Sequence, residues 1–390
     1  MRAGAATPVD VLEAVGRYVD WQRFTQDHWD RRPVLLRPLR SPGHAAAPFD
    51  AHEVFEGAVA AAHHTTSSES GERVRFAVGP RRLTDPGDLL PRPEDGSFAA
   101  YDRRLERQLG GAPFALAVRE LHAGHHPLWA RERAFLTALW TEVGQPLAPI
   151  GTTLCHGTSG PPPTPSHHQA ATFLYVLRGR HRIRLTGPGH GHWSATATPG
   201  DLLYWPAGHE HTVHPPRSPG TVVHIAVPRT PSHDLTPAFS QGSWGTVDTL
   251  VPDGEWADDL PGTLPPPLAA ALDHLRQETR PAPLRRRLAH EVLRHATDGG
   301  LRPAPPPTRP GYFTDDDAVR ATERVVWMPA AGHRLVAACG LITRTGLTTR
   351  ELSALIGRLN TGEPLPVGEL TSPARRLLAR LSAFRAVERL

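Results

Sequence analysis

Gly200-Asp-Leu-Leu-Tyr-Trp-Pro-Ala-Gly-His-Glu-His211 is the stretch that decides the fold of this 390-residue chain. Its pattern predicts an apolar strand, a tight turn at Pro206 and Gly208, and a second strand that carries His211. Gly208 suits a turn that needs a positive φ, and Pro206 fixes the chain direction into that turn. The alternative is a surface hairpin whose histidine falls there by chance, since the chain has 23 histidines.

A second histidine-bearing stretch upstream, residues 165–185, favours the first interpretation. Its pattern predicts an apolar strand over Leu174–Leu177, a hairpin turn at Gly179 and a strand over Arg180–Leu185. In this last strand arginines alternate with the residues of the other face, which are His181, Ile183 and Leu185. Neutral imidazole is a common ligand of iron, zinc and copper, so two such hairpins indicate a metal-binding β-structure.

Together these residues resemble the Jumonji-C family, and most closely its cupin-like, ribosomal-oxygenase branch. The spacing within Gly200–His211 is similar to the second cupin motif, G-x5-P-x-G-x2-H. Residues Phe24–Leu36 resemble the family's entry motif, in which F-x3-H/Y-W-x3-P precedes an apolar strand. Val223–Val227 is similar to its closing barrel strand. The resemblance covers residues 10–230 well and the remainder more loosely.

The resemblance implies an α+β protein built on a double-stranded β-helix, the cupin or jelly-roll barrel, with flanking helices. The expected organisation is a barrel domain with N-terminal helices over residues 1–245, a helical dimerisation region over 246–300 and a winged-helix domain over 301–390. It also implies a homodimer, because the family dimerises through that helical region.

The metal and cosubstrate positions depart from the family pattern. If Phe173 and Gly179 set the alignment, the family's first metal histidine falls on Ser166 and its metal aspartate on His168. The basic residue that anchors the 2-oxoglutarate carboxylate falls on His181. A facial triad of two histidines and one carboxylate is the usual iron(II) oxygenase site, and no carboxylate lies near His168 in the sequence.

We therefore expect His168 and His211 as metal ligands, with His167 as the candidate third. Adjacent strand residues face opposite ways, so His167 and His168 could bind together only across a bulge or loop. The chain has no lysine, and His181 could hold a carboxylate only when protonated. The residues predicted to form the substrate pocket wall are Tyr175, Tyr204 and Trp205.

Three functions remain open at this point. The favoured one is an oxygenase that uses Fe(II), or another divalent metal, with 2-oxoglutarate to oxidise a peptide, protein or peptide-like natural product. The second is a cupin metalloenzyme that does not use 2-oxoglutarate. The third is a pseudoenzyme or ligand-binding regulator that uses its winged helix. The histidines at 168, 181 and 211 favour a metal over an empty barrel.

Composition narrows the location and the partners. Two distant cysteines exclude a disulfide scaffold and indicate a reducing compartment, and we expect a cytoplasmic protein without a signal peptide or membrane span. Basic residues total 43 and acidic residues 39, a net charge of +4. The helix predicted over Leu352–Leu359 has few side chains that could read base edges, so nucleic acid is not an expected partner.

Apolar spacing predicts the remaining helices. Segments Val9–Trp21, Asp50–Ala62 and Leu128–Val143 have helical spacing, and Leu264–Thr297 is predicted as a helix pair broken by prolines. In the tail, Thr348 begins a capping box for the helix Leu352–Leu359. A further helix is predicted over residues 373–384.

Overall fold

The protein is described here from a computed structural model. The residues it describes are 7–14, 19–38, 48–63, 73–159, 170–188, 191–214, 218–229, 277, 280–330 and 332–390. They fall into two compact units, one of Met1–Pro231 with Gly299–Pro306 and one of Ser232–Asp298 with Pro307–Leu390. Among the described residues, no helix is both long enough and apolar enough to span a lipid bilayer.

The first unit contains four α-helices in its described part, and two of them begin at capping residues that the sequence shows. They are α1 (Trp21–Asp27), α2 (Ala51–His63), α3 (Phe98–Leu109) and α4 (His126–Val143). Asp20 caps α1 by accepting a hydrogen bond from the backbone N–H of Arg23, and Ser97 caps α3 in the same way. Helices α2 and α4 confirm two of the predicted helices.

The described part of the first unit contains thirteen strands. They are β1 (Thr7–Pro8), β2 (Asp10–Ala14), β3 (Val34–Pro38), β4 (Val74–Val78), β5 (Arg81–Leu83), β6 (Phe114–Arg119), β7 (Gly151–Gly157), β8 (Ala170–Arg178), β9 (His181–Thr186), β10 (His192–Ala197), β11 (Leu202–Trp205), β12 (Glu210–His214) and β13 (Gly220–Pro228). The helix predicted over Val9–Trp21 is wrong for its first half. There β2 pairs in parallel with β3, because sheet pairing overrides a local helical period.

These strands form two mostly antiparallel sheets. The larger has the order β2-β3-β11-β8-β13-β7-β6-β4-β5, and the smaller has the order β1-β10-β9-β12. One apolar core joins them: Ile183, Leu185 and Ala197 of the smaller sheet cluster with Leu174 and Val222 of the larger. This mixed α+β arrangement of facing antiparallel sheets is a cupin-like fold.

The turns that the sequence predicted are present. Gly179 has φ +83° and connects β8 to β9, and Gly208 has φ +81° between β11 and β12. A side chain at either position would be strained, so glycine fits both turns. Strand β9 alternates buried and exposed residues as predicted, with His181, Ile183 and Leu185 buried.

The second unit contains three helices and two three-stranded sheets in its described part. Its elements are α5 (Pro281–Asp298), β14 (Ala318–Ala321), β15 (Val326–Ala330), β16 (His333–Ala338), β17 (Leu341–Thr345), α6 (Thr349–Leu359), β18 (Leu365–Pro366), α7 (Ser372–Ala383) and β19 (Val387–Arg389). The sheet orders are β18-β14-β19 and β15-β16-β17. The predicted capping box at Thr348 and Glu351 is confirmed at the start of α6. The helix predicted over residues 373–384 is confirmed as α7.

Helix α5 packs on the sheet β15-β16-β17 through Ala289 and Leu293, which join Leu335 and Ala337 in one core. It matches the second member of the predicted helix pair, while the first member falls mostly outside the described residues. The assignment of the tail as a winged helix, and the division of the chain at 245 and 300, stay predictions.

Candidate metal centre

His211 lies on the inward side of β12, but its side chain is exposed to solvent. It lies on β12 opposite Leu185 of β9, and directly opposed residues of an antiparallel pair share one face of the sheet. Leu185 belongs to the apolar core between the sheets, so His211 projects to the same side. Its ring lies 4.9 Å from the ring of buried Trp205, which comes from β11 of the facing sheet.

His224 joins His211 from the other sheet, and sequence analysis assigned it no role. It lies on β13 opposite Leu174 of β8, another member of the interior core. Its ring centroid is 5.7 Å from that of His211 and 6.5 Å from that of Trp205. The available signal was a histidine at an inward position of the otherwise apolar strand Gly220–Pro228.

The two imidazoles are close enough to share one metal ion. A metal binds imidazole nitrogen at about 2.1 Å, so two rings on one ion have centroids within roughly 6 Å of each other. The observed 5.7 Å meets that limit. The described residues contain no cluster of three His, Cys, Asp or Glu side chains that could hold a metal ion. His167 and His168 lie outside the described residues, so their role stays a prediction.

His181 is buried on the inner side of β9 but is held by its own hairpin. Its Nε2 lies 3.0 Å from the backbone oxygen of Arg178, and a carbonyl oxygen can only accept. Nε2 therefore carries the proton, and the Nδ1 of a neutral ring has only a lone pair. Burial lowers the pKa of His181, although the bond to Arg178 works to raise it. With Nε2–H bonded to Arg178 and no proton on Nδ1, the neutral ring cannot donate a hydrogen bond to a carboxylate.

Of the three aromatics predicted as pocket walls, the structure brings only Trp205 to the histidines. Tyr204 pairs with Phe173 on the opposite face of the sheet, where its ring lies 4.8 Å from Phe24. Its hydroxyl accepts a hydrogen bond from the backbone N–H of Asp30 at 2.9 Å. Tyr175 lies on that outer face too, with its ring 5.7 Å from Phe49. Successive strand residues face opposite ways, so neighbouring aromatics cannot line the same pocket.

A buried polar network supports the hairpin that carries His181. Asp102 of α3 accepts hydrogen bonds at 2.8 Å from His156 of β7 and from Arg178 at the end of β8. His156 also lies 2.9 Å from the hydroxyl of Thr221 on β13. Burial works to raise the pKa of Asp102, but the bonds from His156 and Arg178 outweigh it and lower that pKa. The carboxylate therefore ties α3 to β7 and β8, and His156 extends the network to β13.

Comparison with known proteins supports the fold described above. A solved structure of E. coli ycfD matches with a TM-score of 0.51, covering 95% of this chain and 98% of that chain at 17% identity. A structure named as YcfD, a ribosomal oxygenase from Escherichia coli, matches with a TM-score of 0.46 at 15% identity. A complex of that oxygenase with cobalt and 2-oxoglutarate matches with a TM-score of 0.48 at 17% identity. The last two cover the same shares of each chain.

At this identity the likeness to ycfD establishes the fold. No family model matches the sequence, and no curated protein matches it.

Proposed function

We propose that this chain is a metal-dependent oxygenase of the Jumonji-C-like type, acting on a peptide, protein or peptide-like natural product. The observation that carries the proposal is the pair His211 and His224, which lie 5.7 Å apart on the interior face of a cupin-like barrel. His168, which the family alignment places at a ligand position, would complete the set from the segment before β8. The altered set would replace the usual carboxylate by a neutral imidazole.

The metal would supply a site at which O2 is bound and activated. The chain's own residues would hold and shield that site. Trp205 is 1% exposed and lies against His211, so its indole forms a rigid apolar wall beside the ligand. Leu174 and Val222 close the interior behind His224. His211 itself is exposed and His224 is half-buried, so the site stays open to solvent beside these apolar walls.

We propose 2-oxoglutarate because the family resemblance implies it, and His181 would then meet its distal carboxylate. A specific observation favours a second candidate, a cupin metalloenzyme that does not use 2-oxoglutarate. The Nε2–H of His181 donates a hydrogen bond to the backbone oxygen of Arg178, and burial lowers the pKa of the ring, which favours the neutral form where a carboxylate anchor should be cationic.

We also propose that the protein forms a homodimer through α5. One side of this helix is buried in its own unit through Ala289 and Leu293, which are 4% and 3% exposed. Another side presents Leu288 and Val292, which are 37% and 55% exposed and lie one turn apart. An apolar pair that remains exposed in this way is suited to pack against a second copy.

The metal assignment is tested by titrating metal-free protein with cobalt(II) and following the visible absorption of the bound ion. The wild type should bind one cobalt ion. His211→Ala and His224→Ala should each weaken binding at least tenfold, because outer partners alone account for 10- to 100-fold changes at metal sites. His168→Ala should do the same.

His192→Ala is the matched control, since His192 is exposed on β10 and lies 3.3 Å from the hydroxyl of Thr186. It should bind cobalt as the wild type does. Unchanged cobalt binding in the double variant His211→Ala/His224→Ala would exclude the metal centre, provided that circular dichroism shows both proteins folded.

A further inference from the structure

The second unit contains a groove whose charge is unbalanced. It is a cavity of about 610 Å³ over the edge strand β17, between α5 and α7. Its charged lining comes from Arg344 of β17 and from Arg376 and Arg380 of α7. Among the described residues that line it, none is an aspartate or a glutamate.

The three arginines differ from other arginines of the same unit. Arg375 pairs with Asp315, and Arg358 pairs with Glu369 at 3.0 Å. Within the described part of the chain, Arg344, Arg376 and Arg380 have no carboxylate within ion-pairing distance. All three are exposed. A solvated surface usually intersperses both signs of charge, so three unpaired guanidinium groups around one groove indicate a site for anions.

Other features of the groove suit an anion with several oxygen atoms. Arg376 and Arg380 are one turn apart on the same side of α7, and each guanidinium can bind a phosphate through two parallel hydrogen bonds. Pro373, in the first turn of α7, also lines the groove, so the positive end of that helix dipole lies beside the cations.

The positive charge does not depend on the histidine in the groove. Burial lowers the pKa of His290, and Arg294, Arg344 and Arg286 lower it further, while Glu291 acts in the opposite direction. His290 is therefore neutral at pH 7. The arginines keep their charge at any working pH, so anion binding here should be independent of pH near neutrality.

We propose that this groove, defined by Arg344, Arg376 and Arg380, binds the phosphodiester backbone of a nucleic acid without reading its sequence. Several separate cations along an open groove match a chain of phosphates better than a single one. Among the described residues that line the groove, none is a phenylalanine, tyrosine or tryptophan on which a base could stack. Arg376 and Arg380 were already candidates for phosphate contact from the sequence, and nucleic acid was ranked below the enzyme because α6 has few side chains for base edges; the groove needs phosphate contacts only.

The test measures binding of the full-length chain to a fluorescein-labelled, mixed-sequence, single-stranded RNA by anisotropy at several salt concentrations. Arg376→Gln/Arg380→Gln should bind roughly tenfold more weakly, because each exposed ion pair lost costs about threefold. The slope of log affinity against log salt should fall by roughly 1.4, since each phosphate contact on a single strand contributes about 0.7. Duplex DNA of the same sequence should show the same loss.

Arg309→Gln/Arg350→Gln is the control, since both arginines are exposed in the same unit and the change in net charge is equal. It should bind RNA as the wild type does. If both double variants lose RNA affinity equally, the loss comes from the change in net charge, and the proposal is wrong. So would an absence of binding by the wild type at low salt.

Two competitors decide the occupant. If poly-glutamate displaces the RNA as well as unlabelled RNA does, the groove takes an acidic polypeptide and the nucleic-acid proposal is wrong. If inorganic phosphate displaces it at equal concentration, the ligand is a small phosphorylated molecule and the proposal is wrong as well. Cobalt binding should be the same in all variants, so failure here is distinguishable from failure of the metal centre.

Discussion

Replacing His181 by arginine should convert a weak, pH-dependent 2-oxoglutarate site into a tight, pH-independent one. A histidine with the ordinary pKa of about 6.5 is roughly one quarter protonated at pH 7, and each unit of lowering reduces the protonated fraction about tenfold. Burial lowers the pKa of His181, so the fraction is smaller still. Binding to the wild type should therefore strengthen as the pH falls from 7.5 to 6.

The size of the gain follows from the hydrogen bonds that arginine can form. A hydrogen bond to a charged group contributes about 1.5–3 kcal/mol, so His181→Arg should tighten binding by about 10- to 100-fold at pH 7.5. His181 is 4% exposed and faces Ala197 across the sheet, so burial of the larger cation reduces this gain. His181→Gln, which has no charge, should show neither the gain nor the pH dependence.

The assay is calorimetric titration of metal-loaded protein with 2-oxoglutarate at pH 6 and at pH 7.5. Absence of binding by the wild type at both values, together with no binding by a folded His181→Arg variant, would refute the cosubstrate proposal. The cupin metalloenzyme without 2-oxoglutarate would then take its place. If His181→Arg does not fold, the pH dependence of the wild type still decides between the two.

Three further changes test other parts of the molecule. Aspartate at both Leu288 and Val292 should give monomers in light scattering, and a monomeric wild type at micromolar concentration would contradict the dimer. Asp102→Asn should lower the free energy of unfolding in urea by about 2–3 kcal/mol at pH 7, because it breaks a mostly buried charge network. The pKa of Asp102 is lower in the folded protein than the value of about 3.9 in the unfolded chain. Its stabilising effect is therefore complete above about pH 3.9 and is lost as the pH falls through the folded-state pKa. An equal loss of unfolding free energy in Asp102→Asn at pH 3 and at pH 7 would contradict this account. Tyr204→Phe should cost about 1 kcal/mol through loss of the bond from Asp30 yet leave cobalt binding unchanged, and weakened cobalt binding would place Tyr204 at the metal after all.

Much of the barrel could be predicted because its signals are local. The turn at Gly208 requires a positive φ, and the alternation of β9 requires one buried face, so a few neighbouring residues are enough to define each feature. The capping box at Thr348 is equally local, since its two hydrogen bonds join residues three apart. These features were confirmed with their boundaries within a few residues.

The composition of the candidate site depended on contacts between distant segments. His211 was predicted from its own hairpin, but the proximity of His224 arises only when β13 pairs with β8 and the two sheets face each other. No local pattern says which residue of a remote strand will stand opposite another. A histidine in an apolar strand looks the same whether it meets a metal ligand or a core leucine.

The sequence by itself determined the strands and turns of the two histidine-bearing hairpins and the buried face of β9. Only the tertiary structure decided which buried face is the barrel interior, and that choice separated Trp205 from Tyr204. Both are apolar-strand aromatics with less than 2% exposure, and one lies beside His211 while the other packs under Phe24. The two faces of a strand that is buried on both sides are equally hydrophobic. Which face points into the barrel is therefore set by pairing with strands that are distant in the sequence.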